Sequence, residues 1–250
     1  MSKDLFSIQA ADYARYRPSY PPELIDYIIS FTSERNMAWD CATGNGQAAV
    51  LLAPYFQQII ATDTSKTQLS FASPKKNIRY ETGQAEQTHF ADSSFDLITI
   101  AQAYHWFSFN DFEKEVKRVA KQNAIIAAWC YNIPASGFET IDGLIKHFYT
   151  KIVGPYWDAE RKYIDECYRT IPFNFHELPS KEFSVHVNWS KEDLIGYLHS
   201  WSSVQHFIKA NQINPVNEMA TRLSAAWPAG ENQIEIVFPV YLRLGRVHSM

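Results

Sequence analysis

AWDCATGNGQAA, residues 38–49, is the stretch that decides the fold. A short apolar segment, 37–39, runs into Asp40 and a turn holding Gly44 and Gly46, and residues 47–55 then read as a helix. Glycines in such a turn permit positive φ and let a ligand approach the backbone. The helix start behind them offers free N–H groups and the positive end of a dipole. Downstream, the strand-like IIATD (59–63) ends in Asp63, a carboxylate placed to accept a pair of vicinal hydroxyls. Three readings stand at this point. Gly44, Gly46 and Ala49 match a dinucleotide fingerprint, G-x-G-x-x-A. Asp40, four residues before Gly44, would repel a pyrophosphate and welcome a cationic ammonium such as the tail of a methionyl cofactor. A sharp strand-to-helix turn with no ligand is the third.

Working outward, the pattern alternates. Pro21-Pro22 opens a helix with Leu24, Ile25, Ile28 and Ile29 at helical spacing. A helix at about 65–73, a strand at 77–82, a strand at 95–101 and a helix at 111–121 capped by Asn110 follow. AIIAAWC (124–130) is the near-continuous apolar run of a parallel strand covered on both faces. Residues 35–131 therefore predict a doubly wound unit. Beyond it lie an amphipathic helix at 138–152, an aromatic segment at 154–175, and an alternating strand at 182–189. Helices opened by Ser190 with Asp193 and by Asn214-Pro215 come next, and then a long strand at 233–247 with a bend at Pro239. The expected fold is α/β and Rossmann-like: a seven-stranded, mostly parallel sheet with an antiparallel terminal pair and a helical, aromatic cap insertion. It is expected as one domain over 1–250. Residues 1–34 would cover the ligand, 35–131 form its core, 132–180 form the cap and 181–250 complete the sheet.

Composition sets the outer limits. Of 250 residues, 46% are hydrophobic and 20% charged, as in an ordinary globular chain. A net charge of −4 argues against a phosphate-tracking surface, so no nucleic-acid partner is expected. Cys41, Cys130 and Cys167 form no C-x-x-C and fit a reducing compartment. The first residues carry an early acid and no apolar core, and the longest apolar run, 124–131, is too short to span a bilayer. A cytoplasmic monomer or homodimer without membrane contact is expected. The histidines show no convincing metal spacing, so no metal is expected. No G-x-S-x-G and no G-K-[ST] loop occurs, which removes the commonest hydrolase and NTPase readings.

D-x-A-x-G-x-G-Q from Asp40, D-T-S at 63–65, G-Q-A-E at 83–86 and FDLITIAQAYHWF at 95–107 together resemble the class I S-adenosylmethionine-dependent methyltransferases. More narrowly, YARYRPSYP (13–21), AQAYHWF (101–107), PYW (155–157) and VYLRLGRV (240–247) resemble the trans-aconitate-methyltransferase-like and cantharidin-resistance-type small-molecule enzymes. One glycine of the broad motif is Ala42 here. The resemblance implies S-adenosylmethionine as cofactor. Asp40 and the turn with Ala42, Gly44 and Gly46 would hold its methionyl part, and Tyr16 and Arg17 would fold over the methionyl carboxylate. Asp63, with Thr64 beside it, would take the ribose, Ala85 and Glu86 the adenine edge, and the Ala101 carbonyl the ammonium.

The expected activity is methyl transfer to a small-molecule acceptor, at the oxygen of a carboxylate or hydroxyl. His105 follows the fourth strand and is the candidate base for an acceptor that must lose a proton, with a histidine that hydrogen-bonds a loop or lines the cofactor wall as the alternative. Trp106, Tyr131, Tyr156 and Trp157 would wall the acceptor pocket, with core packing the alternative for each, and Arg161 and Arg169 are candidate partners of an acceptor carboxylate, with solvent exposure the alternative for each. Three rival functions remain: a cofactor-binding protein of this fold without catalysis, a nicotinamide-dependent oxidoreductase, and a methyltransferase acting on a protein or RNA, which the acidic balance and aromatic cap disfavour.

Overall fold

The computed structural model describes residues 16–247. Tyr13, Ala14 and Arg15 of the N-terminal motif, and His248, lie outside them. Helix α1 (Pro22–Ser30) starts on a proline, whose missing N–H costs nothing in a first turn, and it buries Leu24, Ile25, Ile28 and Ile29. The unit that follows alternates β1 (Met37–Cys41), α2 (Gln47–Leu52), β2 (Gln58–Asp63), α3 (Lys66–Ser70) and β3 (Ile78–Thr82). It closes with β4 (Phe95–Ala101), α4 (Phe109–Val119) and β5 (Ala120–Tyr131). The second half contains α5 (Glu139–His147), α6 (Arg161–Asp165), β6 (His176–Glu177) and β7 (Glu182–Trp189). It ends with α7 (Lys191–His199), α8 (Ser202–Asn211), α9 (Val216–Ala226) and β8 (Ile234–Arg246).

The sheet order is β3-β2-β1-β4-β5-β8, with β7 and the two-residue β6 both on the outer edge of β8. The first five strands are parallel, and β8 runs antiparallel to β5 and to β7. Leaving aside the short β6, this is the seven-stranded, mostly parallel sheet with an antiparallel end that the pattern predicts. Alternation divides the core. Leu97, Ile125, Ala127 and Trp129 pack on one face, and Trp39, Ile98, Ile126 and Ala128 on the other. Both faces are covered, which explains the unbroken apolar run of β5.

Parallel pairing brings Cys41 beside Thr62 and Ile100, and Ala101 beside Trp129. The turns after β1, β2, β3, β4 and β5 thus gather at one edge, the carboxyl ends where doubly wound sheets bind ligands. Helical cover over that edge comes from more than residues 132–180: Trp201, between α7 and α8, meets Phe148 at 6.0 Å and Trp157 at 5.5 Å between ring centroids.

Three local expectations change. Helix α4 begins at Phe109, two residues earlier than the Asn110 cap allows, with Ser108 in the cap position and its hydroxyl donating to Asp111. The helix expected over 138–152 ends at His147 and passes into a π turn (Phe148–Ile152), closed by the Val153 N–H donating to the Phe148 carbonyl. Strand β8 runs unbroken through Pro239, which sits opposite Ser184 of β7. The capping box of Ser190 with Asp193 forms as expected.

Candidate active site

The turn after β1 takes left-handed backbone at three places: Ala42 (φ 53°), Gly44 (φ 59°) and Gly46 (φ 83°). Its shape is held from beneath by Asp40, which is fully buried. One carboxylate oxygen accepts from the Ala49 N–H (3.1 Å) and the Thr43 hydroxyl (2.5 Å), and the other from the Thr99 hydroxyl on β4 (2.8 Å). Burial raises its pKa to about 6, against the opposing pull of those hydrogen bonds, with the charge of Asp63 adding a little. Asp40 therefore fixes the turn from below and does not border the cleft above it, which corrects the expectation that its carboxylate meets the cofactor's ammonium.

Above the turn lies a cleft of about 380 Å³, lined by Arg17, Tyr20, Gly44, Asn45, Ala101 and Tyr131 among others. A Cβ on Gly44 would meet nothing within 4 Å, so the backbone there is open to a ligand. At Gly46, by contrast, a Cβ would lie 2.6 Å from the Tyr80 hydroxyl, so only glycine admits that ring. Asp63 ends β2 at the turn, accepting the Gly44 N–H and the Ser65 N–H, each at 2.8 Å. Arg17 donates to the Tyr131 hydroxyl (2.9 Å) and the Ser200 carbonyl (3.2 Å) and lies over the Tyr197 ring. Tyr16 packs where Gly196 of α7 leaves room, 2.6 Å from the position a Cβ would take. Ala85 is buried; Glu86 accepts the Ser108 N–H (3.0 Å); Thr64 is exposed. The loop carrying Ala85 and Glu86 is further tied by Arg118 of α4, which donates to the Phe90 carbonyl and pairs with Glu115 and Asp92.

A second cleft, of about 500 Å³, shares Arg17 with the first and continues past Gln102, His105 and Trp106 to Trp157, Asp158 and Arg161. His105 is 5% exposed and its Nδ1 lies 3.0 Å from the Tyr168 hydroxyl. The hydroxyl donates to Nδ1 or accepts from it, according to the imidazole tautomer. Burial, reinforced by the charge of Arg161, lowers the His105 pKa to about 3. The ring is thus neutral at physiological pH. Arg161 sits with its guanidinium 4.4 Å over Trp157 and 5.2 Å over Tyr149, its Nε donating to the Tyr149 hydroxyl (2.8 Å).

Of the expected acceptor walls, Trp106 and Trp157 border this cleft, Tyr131 sits with the turn residues, and Tyr156 borders neither, its ring packing on Phe207 of α8 (4.8 Å). Arg169 is exposed and outside both clefts. Gln102, Asp158, Ile164 and Ser202 were not singled out by the sequence. Gln102 carried one usable signal, its place directly after Ala101 at the end of β4; the other three carried none.

The sheet order, the glycine turn at the carboxyl edge, the strand-end carboxylate and the adjoining cleft define a class I methyltransferase fold. The comparisons agree. Residues 39–128 match the methyltransferase domain family model. A curated methyltransferase of Dictyostelium discoideum is 35% identical over 249 residues, 97% of this chain and 95% of its own. CRG1 of Saccharomyces cerevisiae, named an S-adenosylmethionine-dependent methyltransferase, is 27% identical over 68% of this chain and 60% of its own. A solved type II methyltransferase structure from Anaeromyxobacter dehalogenans superposes with a TM-score of 0.85 at 31% identity, over 94% of this chain and 100% of that one. The chain belongs to the class I S-adenosylmethionine-dependent methyltransferases, and S-adenosylmethionine is its cofactor. The residues suit that group. Arg17 is a cation lining the first cleft, Gly44 an open backbone in the same lining, and Asp63 a carboxylate bonded to the Gly44 N–H, a set that fits an amino-acid tail and a ribose. Among the described residues no helix is long and apolar enough to cross a membrane.

Proposed function

We propose that the enzyme methylates a carboxylate oxygen of a small-molecule acceptor held in the second cleft. The observation that carries this reading is the burial of His105, which is 5% exposed with its Nδ1 against the Tyr168 hydroxyl. A general base works best when its pKa lies near the working pH, and an imidazole buried to a pKa of about 3 is far from that. A phenol or an ammonium must lose a proton to become a nucleophile; a carboxylate is one already at neutral pH. His105 then acts as a neutral hydrogen-bonding wall rather than as a base.

When bound, the cofactor supplies an electrophilic methyl on a sulfonium leaving group. What the chain must add is alignment and exclusion of water. Tyr16 and Arg17 cover the methionyl end, Asp63 with Thr64 orients the ribose, and Ala85 and Glu86 border the adenine. Ala101 and Gln102 lie at the junction of the two clefts, and Trp106 and Trp157 wall the acceptor.

The test is a screen with methyl-labelled S-adenosylmethionine against matched acceptors: small carboxylic acids, their amides and simple phenols. Label extracted as base-labile ester from the acids, and none from the phenols, is the expected result. Transfer to phenols with a rate rising through pH 6–8 would show a titrating base and overturn the reading.

A further inference from the structure

Arg161 is not a surface arginine. Its side chain is 17% exposed, and it stacks on two aromatic rings. The platform is built for it. The π turn after α5 adds one residue to the helical repeat at Phe148–Ile152, and such turns, rare in general, are frequent at functional sites. Tyr149, in that turn, does three things. Its ring packs on Trp157 (5.1 Å) and on Trp201 (5.6 Å), its carbonyl accepts the Trp157 indole N–H (3.3 Å), and its hydroxyl accepts a hydrogen bond from the Arg161 Nε–H while donating to Asp165. Only Nε is engaged in this way; Asp165 lies 3.6 Å from that same atom. Among the described residues no protein acceptor meets Nη1 or Nη2, and Arg161 borders the second cleft. Asp158 borders it too, but forms no ion pair with Arg161, its carboxylate lying 3.8 Å from His206 Nδ1. A guanidinium fixed at Nε with both Nη groups open is a two-pronged receptor for a planar anion.

Electrostatics say which anion. Methyl transfer from a sulfonium to a carboxylate cancels two charges, so a cation bonded to the reacting oxygens would stabilise the ground state more than the transition state. Arg161 also lies away from the first cleft, whose walls do not include it. We infer that Arg161 anchors a carboxylate of the acceptor other than the atom being methylated, so that the enzyme selects acceptors carrying an anion remote from the reacting group. Tyr149 is the positioning residue that fixes the fork. The inference rests on the acceptor occupying this cleft.

The experiment uses benzoate, which has one carboxylate and no second group, and its neutral twin benzamide. Each is titrated into the enzyme saturated with S-adenosylhomocysteine while the Arg161 Nε–H resonance is followed by NMR, assigned by its absence in Arg161→Gln. Benzoate should shift that resonance saturably and benzamide should not. Arg161→Gln should weaken benzoate about 10- to 100-fold, the worth of a charge-assisted pair, with Arg161→Lys between the two. Tyr149→Phe should shift the Nε–H signal even without benzoate. With S-adenosylmethionine in place of the product, bound benzoate should yield no methyl benzoate, because its only carboxylate is held at the anchor. Equal responses to benzoate and benzamide, no saturable response to benzoate, or wild-type affinity in Arg161→Gln would overturn the anchor. Methyl benzoate formed in an Arg161-dependent reaction would overturn its remoteness. Failure of S-adenosylhomocysteine to bind would instead strike the methyltransferase reading itself, so the two failures are told apart.

Discussion

The two clefts share one arginine and are built by different means. The first cleft is made of backbone: a left-handed turn at 42–46, strand ends, and a buried carboxylate that pins the turn from below. The second cleft is made of side chains drawn from a 3₁₀ turn (Tyr104–Trp106), the π turn's neighbours, α6 and the start of α8. Backbone sites are shaped by local sequence and tolerate little change. Side-chain sites depend on contacts across long stretches of chain and can be altered with the fold intact. Mutations in the first should therefore register as stability and cofactor affinity together, and mutations in the second as acceptor recognition alone.

The largest effect is expected at Asp40. Asp40→Ala leaves the Ala49 N–H and two hydroxyls without their acceptor in a fully buried place, and should cost about 3 kcal/mol or more in chemical denaturation. The ionised Asp40 is itself costly. Its folded pKa of about 6 stands above the ordinary 3.8, so the native state binds the proton more tightly than the unfolded chain. Its contribution to stability therefore falls as pH rises from about 4 to about 6, by roughly 3 kcal/mol, and is flat above. Asp40→Asn keeps an acceptor for Ala49 and should remove that slope; an unchanged slope in the variant would place its origin elsewhere.

The two glycines sharpen the contrast within the turn. Gly46→Ala adds a methyl into the Tyr80 ring at a positive φ and should cost more than the roughly 1–2 kcal/mol of left-handed backbone alone. Gly44→Ala pays only that backbone term for stability, yet places its methyl on the open side toward the cofactor, so affinity for S-adenosylhomocysteine should drop more than thermal stability does.

His105→Ala probes the other cleft. It should lower turnover more than cofactor affinity. Between pH 6 and 8 the wild-type rate should show no inflection from His105, since a group held near 3 does not titrate there. A bell with a limb near 6.5 that the variant loses would restore the base.

The smallest effect reverses the usual sign. Ala42 holds φ 53°, which glycine adopts without strain, so Ala42→Gly should stabilise the protein by up to about 1 kcal/mol in the same denaturation assay. A loss of stability would mean the alanine methyl packs better than its backbone suffers.

The same contrast explains what the sequence could disclose. Strand, turn and helix from 37 to 131 are written in local periodicity and in glycine spacing, so Gly44 and Ala101 were legible as positions beside the strand-end cleft, and Gly46 and Asp63 as parts of the turn that borders it. The use made of Asp40 was not, because a carboxylate's hydrogen-bond partners on β4 and α2 lie up to 59 residues away. Tyr149 read as an ordinary helix residue, since nothing in an amphipathic pattern announces a π turn. Arg161 read more readily as a surface charge, because the rings that enclose it come from 149 and 157 and acquire their meaning only once packed. Tyr156, next to Trp157 and of similar chemistry, faces α8 instead: one residue of rotation separates a cleft wall from a packing contact.

The most direct measurement is calorimetric titration of S-adenosylhomocysteine into the wild-type enzyme and into Asp63→Ala, each shown to be folded by circular dichroism. Wild type should bind with one-to-one stoichiometry, and the variant, which loses both the carboxylate and its bond to the Gly44 N–H, should bind about 10- to 100-fold more weakly. Folded wild-type protein that takes up no S-adenosylhomocysteine, or a variant that binds it equally well, would contradict the assignment of the glycine turn and Asp63 as the cofactor site.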